Sequence, residues 1–201
     1  MTDISYFMNK YKNSDTLKIN MQAYIFMLND VDKQKLSEGE IIKVNTSSLN
    51  TTEHYDVLVD GGEVLLLNHK EKTGSLTKLT KKHKDFEFKI DTTLNSFDSV
   101  KVLPVSNNLQ GYSLFSSRSE YPITEIWFDI ATKNLIKIDF YFKKITKEYD
   151  TGSKKLQILY TYSKTISKFD MDRLSMNYYF IKNKNNLQAI GKFTNYQFSH
   201  Y

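Results

Sequence analysis

Four histidines, His54, His69, His83 and His200, are the side chains best suited to acid–base or metal chemistry at neutral pH. A metal site needs ligands at short, defined spacing. None of the four stands at such spacing from another histidine or from a nearby carboxylate, so all four read as exposed or rim residues. Asp30-Val31-Asp32 and Asp170-Met171-Asp172 each hold two carboxylates. A calcium loop needs more oxygen ligands and a glycine at a fixed offset. Both segments lack these and read as turn and helix-cap carboxylates. Gly61-Gly62 is followed by an apolar strand and not by Lys-Ser or Lys-Thr, so it is no phosphate loop. There is no Gly-x-Ser-x-Gly elbow. Glycosidase carboxylates meet in space and not in sequence, and nothing singles out a pair here. The expectation is a chain with no catalytic residues, no metal and no cofactor.

The chain has no cysteine, which removes disulfides, zinc–thiolate sites and thiol nucleophiles, and suits cytosol or periplasm alike. Its formal charge of +5 comes almost wholly from lysine, since Arg118 and Arg173 are the arginines present. Lysine lacks the planar fork that reads bases and phosphates. Lys78, Lys81, Lys82, His83 and Lys84 form the densest basic cluster, but no aromatics interleave with it as a nucleic-acid stacking platform requires. It reads as a solvated loop or a protected sheet edge. No nucleic-acid partner is expected. No apolar run is long enough to span a bilayer as a helix. Thr2-Asp3-Ile4-Ser5 shows no secretory pattern.

What remains is an apolar face. Met21, Ile25, Met27, Ile42, Val57, Val59, Leu65, Leu67, Phe128, Ile138, Phe140 and Phe142 fall on alternating positions and are expected to point the same way. The plain reading of such a face is a dry, packed core. The functional one is a concave surface left open for a lipid, where methionine makes the lining adaptable.

The elements that position this face are mostly strands. Ile4, Phe7, Met8 and Tyr11 predict a short N-terminal helix, ended by Asn13-Ser14-Asp15. The period then changes to two. Ile19, Met21, Ala23, Ile25 and Met27 form one row of a long strand, and Gly39–Val44 returns. Tyr55, Val57 and Val59 alternate up to the Asp60-Gly61-Gly62 turn. Val64-Leu65-Leu66-Leu67 is apolar on both faces and reads as central. Residues 70–85 read as a loop or polar strand, and Asp91–Asn95 as a short helix. Val100, Val102 and Pro104 suggest an edge, followed by Tyr112, Leu114 and Phe115.

The clearest hairpin pairs Ile126, Phe128 and Ile130 with Ile136, Ile138, Phe140 and Phe142 across Ala131–Asn134. Its other face is polar, with Trp127 and Tyr141. Leu156, Ile158, Tyr160 and Tyr162 add a strand. Phe169–Leu174 reads as a turn or short helix, and Tyr178–Ile181 and Leu187–Phe198 as edge strands. No linker divides residues 1–201, so one domain is expected, with successive antiparallel pairing.

A helix ending in Tyr11-Lys12-Asn13-Ser14-Asp15, a long strand, a return strand bearing Gly39, the Asp60-Gly61-Gly62 turn and the Ile126–Ile138 hairpin occur in that order. This order is similar to the outer-membrane lipoprotein carrier and receptor (LolA/LolB-like) family, particularly its divergent members in Bacteroidetes. The similarity covers roughly residues 4–165 and leaves 166–201 as an extension of edge strands. It implies a mainly β fold: one curved antiparallel sheet forming an unclosed β-barrel, with the N-terminal helix and short helices covering the concave face. It also implies a periplasmic or envelope-associated binding protein for an acylated protein or lipid, without catalysis. The carriers' basic-Pro motif after the second strand is missing, since the chain there reads Val44-Asn45-Thr46-Ser47. The second expectation is an interaction module of an envelope assembly, with envelope protein partners and a filled core.

Overall fold

The structure is a computed structural model that describes residues 6, 13–27, 33–79, 97–142, 153–183 and 186–201. The side chains of Met27, Ser153 and Lys154 are outside that description. So are Ile4, Phe7, Met8 and Tyr11 of the expected helix, although Tyr6 and Asn13 are helical. The Asp30–Asp32 pair, Lys81–Lys84 and the helix expected at 91–95 also lie outside the described residues.

The fold is mostly β. The strands are β1 (Thr16–Met27), β2 (Lys33–Val44), β3 (Ser47–Thr52), β4 (Tyr55–Asp60), β5 (Glu63–Asn68), β6 (Thr73–Lys78), β7 (Ser99–Val102), β8 (Leu109–Phe115), β9 (Ile123–Asp129), β10 (Leu135–Tyr141), β11 (Ser153–Ser163), β12 (Phe180–Asn183), β13 (Asn186–Ala189) and β14 (Gln197–His200). Twelve of them hydrogen-bond in the order β14-β6-β5-β4-β3-β2-β1-β11-β10-β9-β8-β7. The two ends of this sheet do not pair with each other, so it is not closed into a barrel. The neighbours whose registers are described pair antiparallel, except that β14 lies parallel to β6.

One strand was not assigned from the sequence, and one expectation needs correcting. Polar Ser47–Thr52, which has a single inward apolar residue, is a strand because Asn45 takes a positive φ of 54° and turns the chain tightly after β2. Tyr178–Ile181 and Leu187–Phe198 do not simply extend the sheet. Strands β12 and β13 pair with each other in a separate two-stranded sheet, and only β14 reaches the edge of the large one.

The chain divides into two compact units that interleave in sequence. Unit 1 holds residues 1–13, 21–37 and 89–161; unit 2 holds 14–20, 38–88 and 162–201.

In unit 2 the registers align one apolar ladder. Ile42 faces Leu49, Leu49 faces Leu58, Leu58 faces Leu65, and Leu65 faces Leu76. All five are essentially inaccessible. Burying each is worth about 1.5–3 kcal/mol. The Gly61-Gly62 turn sets this register, with φ of 56° and 80° at its two central residues. Glycine, without a Cβ, adopts that pair of angles most readily. The C-terminal segment covers the ladder: Leu174, Tyr179, Phe180 and Phe193 are buried in the same cluster. Gly74 is part of the fit, because a Cβ there would come within 2.4 Å of the Phe198 ring.

In unit 1 the expected hairpin forms, with Ile138 opposite Ile126 and Phe140 opposite Thr124. Asp129 closes its turn by accepting from the Thr132 amide at 2.6 Å and the Thr132 hydroxyl at 2.8 Å. A bulge between Leu135 and Lys137 adjusts the register.

Candidate functional site

Within unit 2 the expected face does not survive as one surface. Ile42, Leu65 and Leu67 belong to the closed cluster of unit 2. Val57 and Val59 are on the opposite side of that sheet, because Val57 pairs with half-exposed Leu66 while Leu58 pairs with buried Leu65. Strand β4 buries its even positions, Asp56 and Leu58, where the sequence suggested its odd ones. A polar residue on the inner row hid the true period.

Met21, Ile25, Phe128, Ile138, Phe140 and Phe142 belong to unit 1, as does the backbone of Met27. Here the registers define a face strand by strand. One row runs Leu156, Phe140, Thr124, Leu114, Val100, and the next runs Ile158, Ile138, Ile126, Tyr112, Val102. Thr124 and the hydroxyl of Tyr112 are the polar groups on these rows. Accessibility is graded along them. Leu114, Tyr112, Ile126 and Phe128 are buried, whereas Ile138, Phe140, Leu156 and Ile158 keep partial exposure. Met21, Ile25 and Phe142 are also only half-buried.

Tyr121, from the β8–β9 connection, packs at a tilt against Phe140 and Phe142 with ring centroids 5.4 and 5.2 Å away. Tyr160 continues the alternation of Leu156 and Ile158, and burial pushes its phenol up to about 12. Sequence reasoning placed Tyr112, Leu114, Leu156 and Ile158 in strands but left them out of the site. Their alternation, continuous with the hairpin, was the available signal. Nothing local in the sequence marks Tyr121.

The other side of the same strands is polar and only partly solvated. Asp139 is 1% exposed. Its carboxylate meets Lys137 at 3.0 Å and Lys155 at 3.4 Å, and accepts from the Gln157 amide at 2.8 Å. A buried carboxylate persists only with such partners. Lys155 also lies over Phe26, and Lys137 over Trp127. Trp127 in turn lies on Gly111, where a Cβ would come within 2.7 Å of the indole. Tyr141 donates to Glu125 at 3.2 Å, and burial, with the charges of Glu125 and Asp139, pushes its phenol upward.

Unit 2 holds two polar clasps that bind its C-terminal segment. In the first, Lys18 on β1 contacts both Asp170 oxygens at 2.9 and 2.8 Å and Glu40 at 3.1 Å, while Arg173 reaches Glu40 at 2.7 Å. Asp170 also closes a capping box with Ser167 at the start of the Lys168–Arg173 helix. Burial pushes the Asp170 carboxyl up, but the hydrogen bonds from Lys18 and Ser167 outweigh it and hold the group below its ordinary value.

In the second clasp His69 contacts Asp56 at 3.0 Å through Nε2 and the Tyr196 hydroxyl at 2.8 Å through Nδ1. His69, read from the sequence as an exposed or rim histidine, keeps a quarter of its side chain exposed and meets Asp56 across the β4–β5 pair, a partner that sequence spacing does not show. The arrangement resembles an acid–base relay. Burial and the Asp56 charge raise the Tyr196 phenol, which favours its neutral form. The relay joins β4 and the end of β5 to the C-terminal segment.

Among the described residues no group of three or more acidic, histidine or cysteine side chains is arranged to hold a metal ion. No helix among them is long and apolar enough to cross a membrane.

No family model matches the chain, and no curated protein is significantly similar to it in sequence. Among solved structures it is similar to an uncharacterized conserved protein from Thermus thermophilus, at 7% identity and a TM-score of 0.52, covering 100% of this chain and 98% of that one. It is also similar to a LolA-superfamily protein from Nitrosomonas europaea, at 11% identity and a TM-score of 0.35, covering 88% and 97%. A third is a putative outer-membrane lipoprotein-sorting protein domain from Vibrio parahaemolyticus, at 12% identity and a TM-score of 0.36, covering 85% and 95%. The Thermus likeness is one of fold alone, and the two weaker ones add no argument to it.

Proposed function

We propose that this chain is a non-catalytic binding protein of the cell envelope, working in the periplasm, that accommodates an acyl chain of a lipid or lipoprotein on the apolar face of unit 1. One contrast carries the reading. The apolar ladder of unit 2 is sealed by the chain's own Leu174, Tyr179, Phe180 and Phe193. The apolar rows of unit 1 keep Ile138, Phe140, Leu156 and Ile158 partly accessible. A face of large aliphatic and aromatic side chains that the described residues leave partly accessible favours an apolar ligand. The order of elements in the sequence, which resembles the lipoprotein carriers, supports the same class of ligand.

The test is uptake of a fluorescent fatty acid by delipidated protein. Saturable binding is expected, and Ile138→Trp, which fills the face by volume, should weaken it at least tenfold, about 1.4 kcal/mol. Absence of any uptake by the folded wild type rules the reading out.

The second reading is an interaction module with a filled core, and the sealed face of unit 2 favours it. Deleting residues 166–201 does not test it cleanly, because Tyr179, Phe180 and Phe193 are core residues and their loss would unfold unit 2. Substituting exposed Ile181 and Phe169, and measuring capture of envelope proteins, tests it without that loss.

A further inference from the structure

The outward side of strands β3 to β6 carries no charge. One row across them reads Ser48, Val59, Val64, Thr77, and the next reads Asn50, Val57, Leu66, Ser75. Strand β14 extends the second row with Ser199. A third row holds Tyr55, Asn68 and Thr73 and ends at Gln197. None of these side chains is charged, and none is buried. Leu66 and Tyr55 are 44% and 47% exposed. The face ends at Lys43 on β2, opposite Ser48. The charged residues of β3 to β6 are Asp56, Asp60, Glu63 and Lys78, and all four alternate to the side of the ladder. There Asp56 meets His69, Glu63 meets Lys182, and Asp60 accepts from Ser47. In a chain that is 25% charged, an outer sheet face is where charge is expected. Here that distribution is reversed.

A charge-free face suits a charged partner poorly and suits itself well. In a two-fold dimer the same patch meets its own copy, so its groups must complement themselves. A lysine or a carboxylate fails that condition. Valine and leucine meet it by packing. Serine, threonine and asparagine meet it because each both donates and accepts hydrogen bonds. The chain carries a formal charge of +5, so contacts that involve its lysines bring like charge together. Two copies can share this face without desolvating a charge. We propose that the outward face of β3 to β6 and β14 is a self-association surface, on which a second copy of this chain packs sheet against sheet. The two layers would stand about 10 Å apart, as in a sandwich. Five strands about 4.8 Å apart and about 20 Å long offer at most roughly 500 Å² per copy. A pair then buries on the order of 1,000 Å², the lower end for a specific interface, and the expected dissociation constant is about 10–100 micromolar. The ligand of unit 1 plays no part in this contact.

The experiment is sedimentation equilibrium of the full chain up to about 500 micromolar at physiological salt. A reversible monomer–dimer equilibrium is expected. Leu66→Lys puts a positive charge on both faces and should weaken the dimer at least about tenfold. Asn50→Lys, at an exposed position on the same row, should act in the same direction without removing an apolar contact. An equimolar mixture of Leu66→Lys and Leu66→Glu should associate more tightly than either variant alone, because the paired faces then carry opposite charge. Ile181→Lys, an equal charge on an exposed residue outside this sheet, should match wild type. Circular dichroism checks that each variant is folded.

A wild type that stays monomeric over the whole range overturns the second copy as the occupant of this face. A dimer that tolerates both lysines overturns the face as its interface. A mixture no tighter than its components, or assembly beyond the dimer, overturns the two-fold pairing.

Discussion

Leu65 and Leu66 are adjacent on β5 and chemically identical, yet the structure assigns them opposite fates. Leu65 is 0% exposed, between Leu58 and Leu76 on the ladder of unit 2, while Leu66 is 44% exposed on the other side. Replacing Leu65 with Ala removes its apolar burial and leaves a cavity whose walls are fixed by hydrogen-bonded strands on both sides. Such truncations cost 2–5 kcal/mol, the larger values where the walls cannot collapse, so about 3–4 kcal/mol is expected here. That is a large fraction of the roughly 5–15 kcal/mol that holds a typical domain together. Leu66→Ala should stay within about 0.5 kcal/mol of wild type. Urea titration followed by far-ultraviolet circular dichroism separates the two, through a lower midpoint at unchanged slope for Leu65→Ala. A loss below about 1 kcal/mol for Leu65→Ala, or equal losses for both variants, would refute the register of β4, β5 and β6 and the sealed face built on it.

Three further outcomes follow from named contacts. Asp170 is held below its ordinary pKa in the folded chain, so its contribution to stability is complete above the unfolded carboxylate value of about 3.9 and is lost as pH falls through the lower folded value. Asp170→Asn should therefore flatten the acid limb of a stability–pH curve below about pH 4, and an unchanged acid limb would count against the Lys18 clasp. Gly111→Ala pushes a methyl into the Trp127 ring, and a shift in tryptophan emission with a loss of about 1–3 kcal/mol is the expected result. Asp139→Ala strands Lys137, Lys155 and Gln157 around an empty position and should cost about 3–5 kcal/mol by chemical denaturation, whereas Asp139→Asn keeps the Gln157 contact and should cost less.

Much of the β character was legible because large side chains alternate. The Ile126–Phe142 hairpin and the Gly61-Gly62 turn announce themselves through period and φ requirements. Strand β3 was not legible, since Leu49 is the only apolar residue in Ser47–Thr52 and its partners come from β2 and β4. Strand β4 was read on the wrong side because Asp56, an inward residue, looks like an outward one until His69 is seen to meet it. The same limit applies to Asp139, which alternation assigns to solvent and which Lys137, with Lys155 and Gln157 from the neighbouring strand, keeps buried. The tail misled for a related reason. Its aromatics read as edge strands, but Tyr179, Phe180 and Phe193 gain more by covering the ladder of β2 to β6, which no local pattern encodes. Periodicity reports what a strand can bury. Which of two apolar faces stays partly open depends on segments distant in sequence.

The claim that an acyl chain occupies unit 1 and not unit 2 is tested most directly by methyl-labelled NMR of the full chain titrated with a long-chain fatty acid. The account predicts shift changes at Leu114, Ile126, Ile138 and Ile158, with Leu49, Leu58 and Leu76 unmoved. Changes centred on the unit 2 ladder, or none anywhere at saturating ligand, would contradict it.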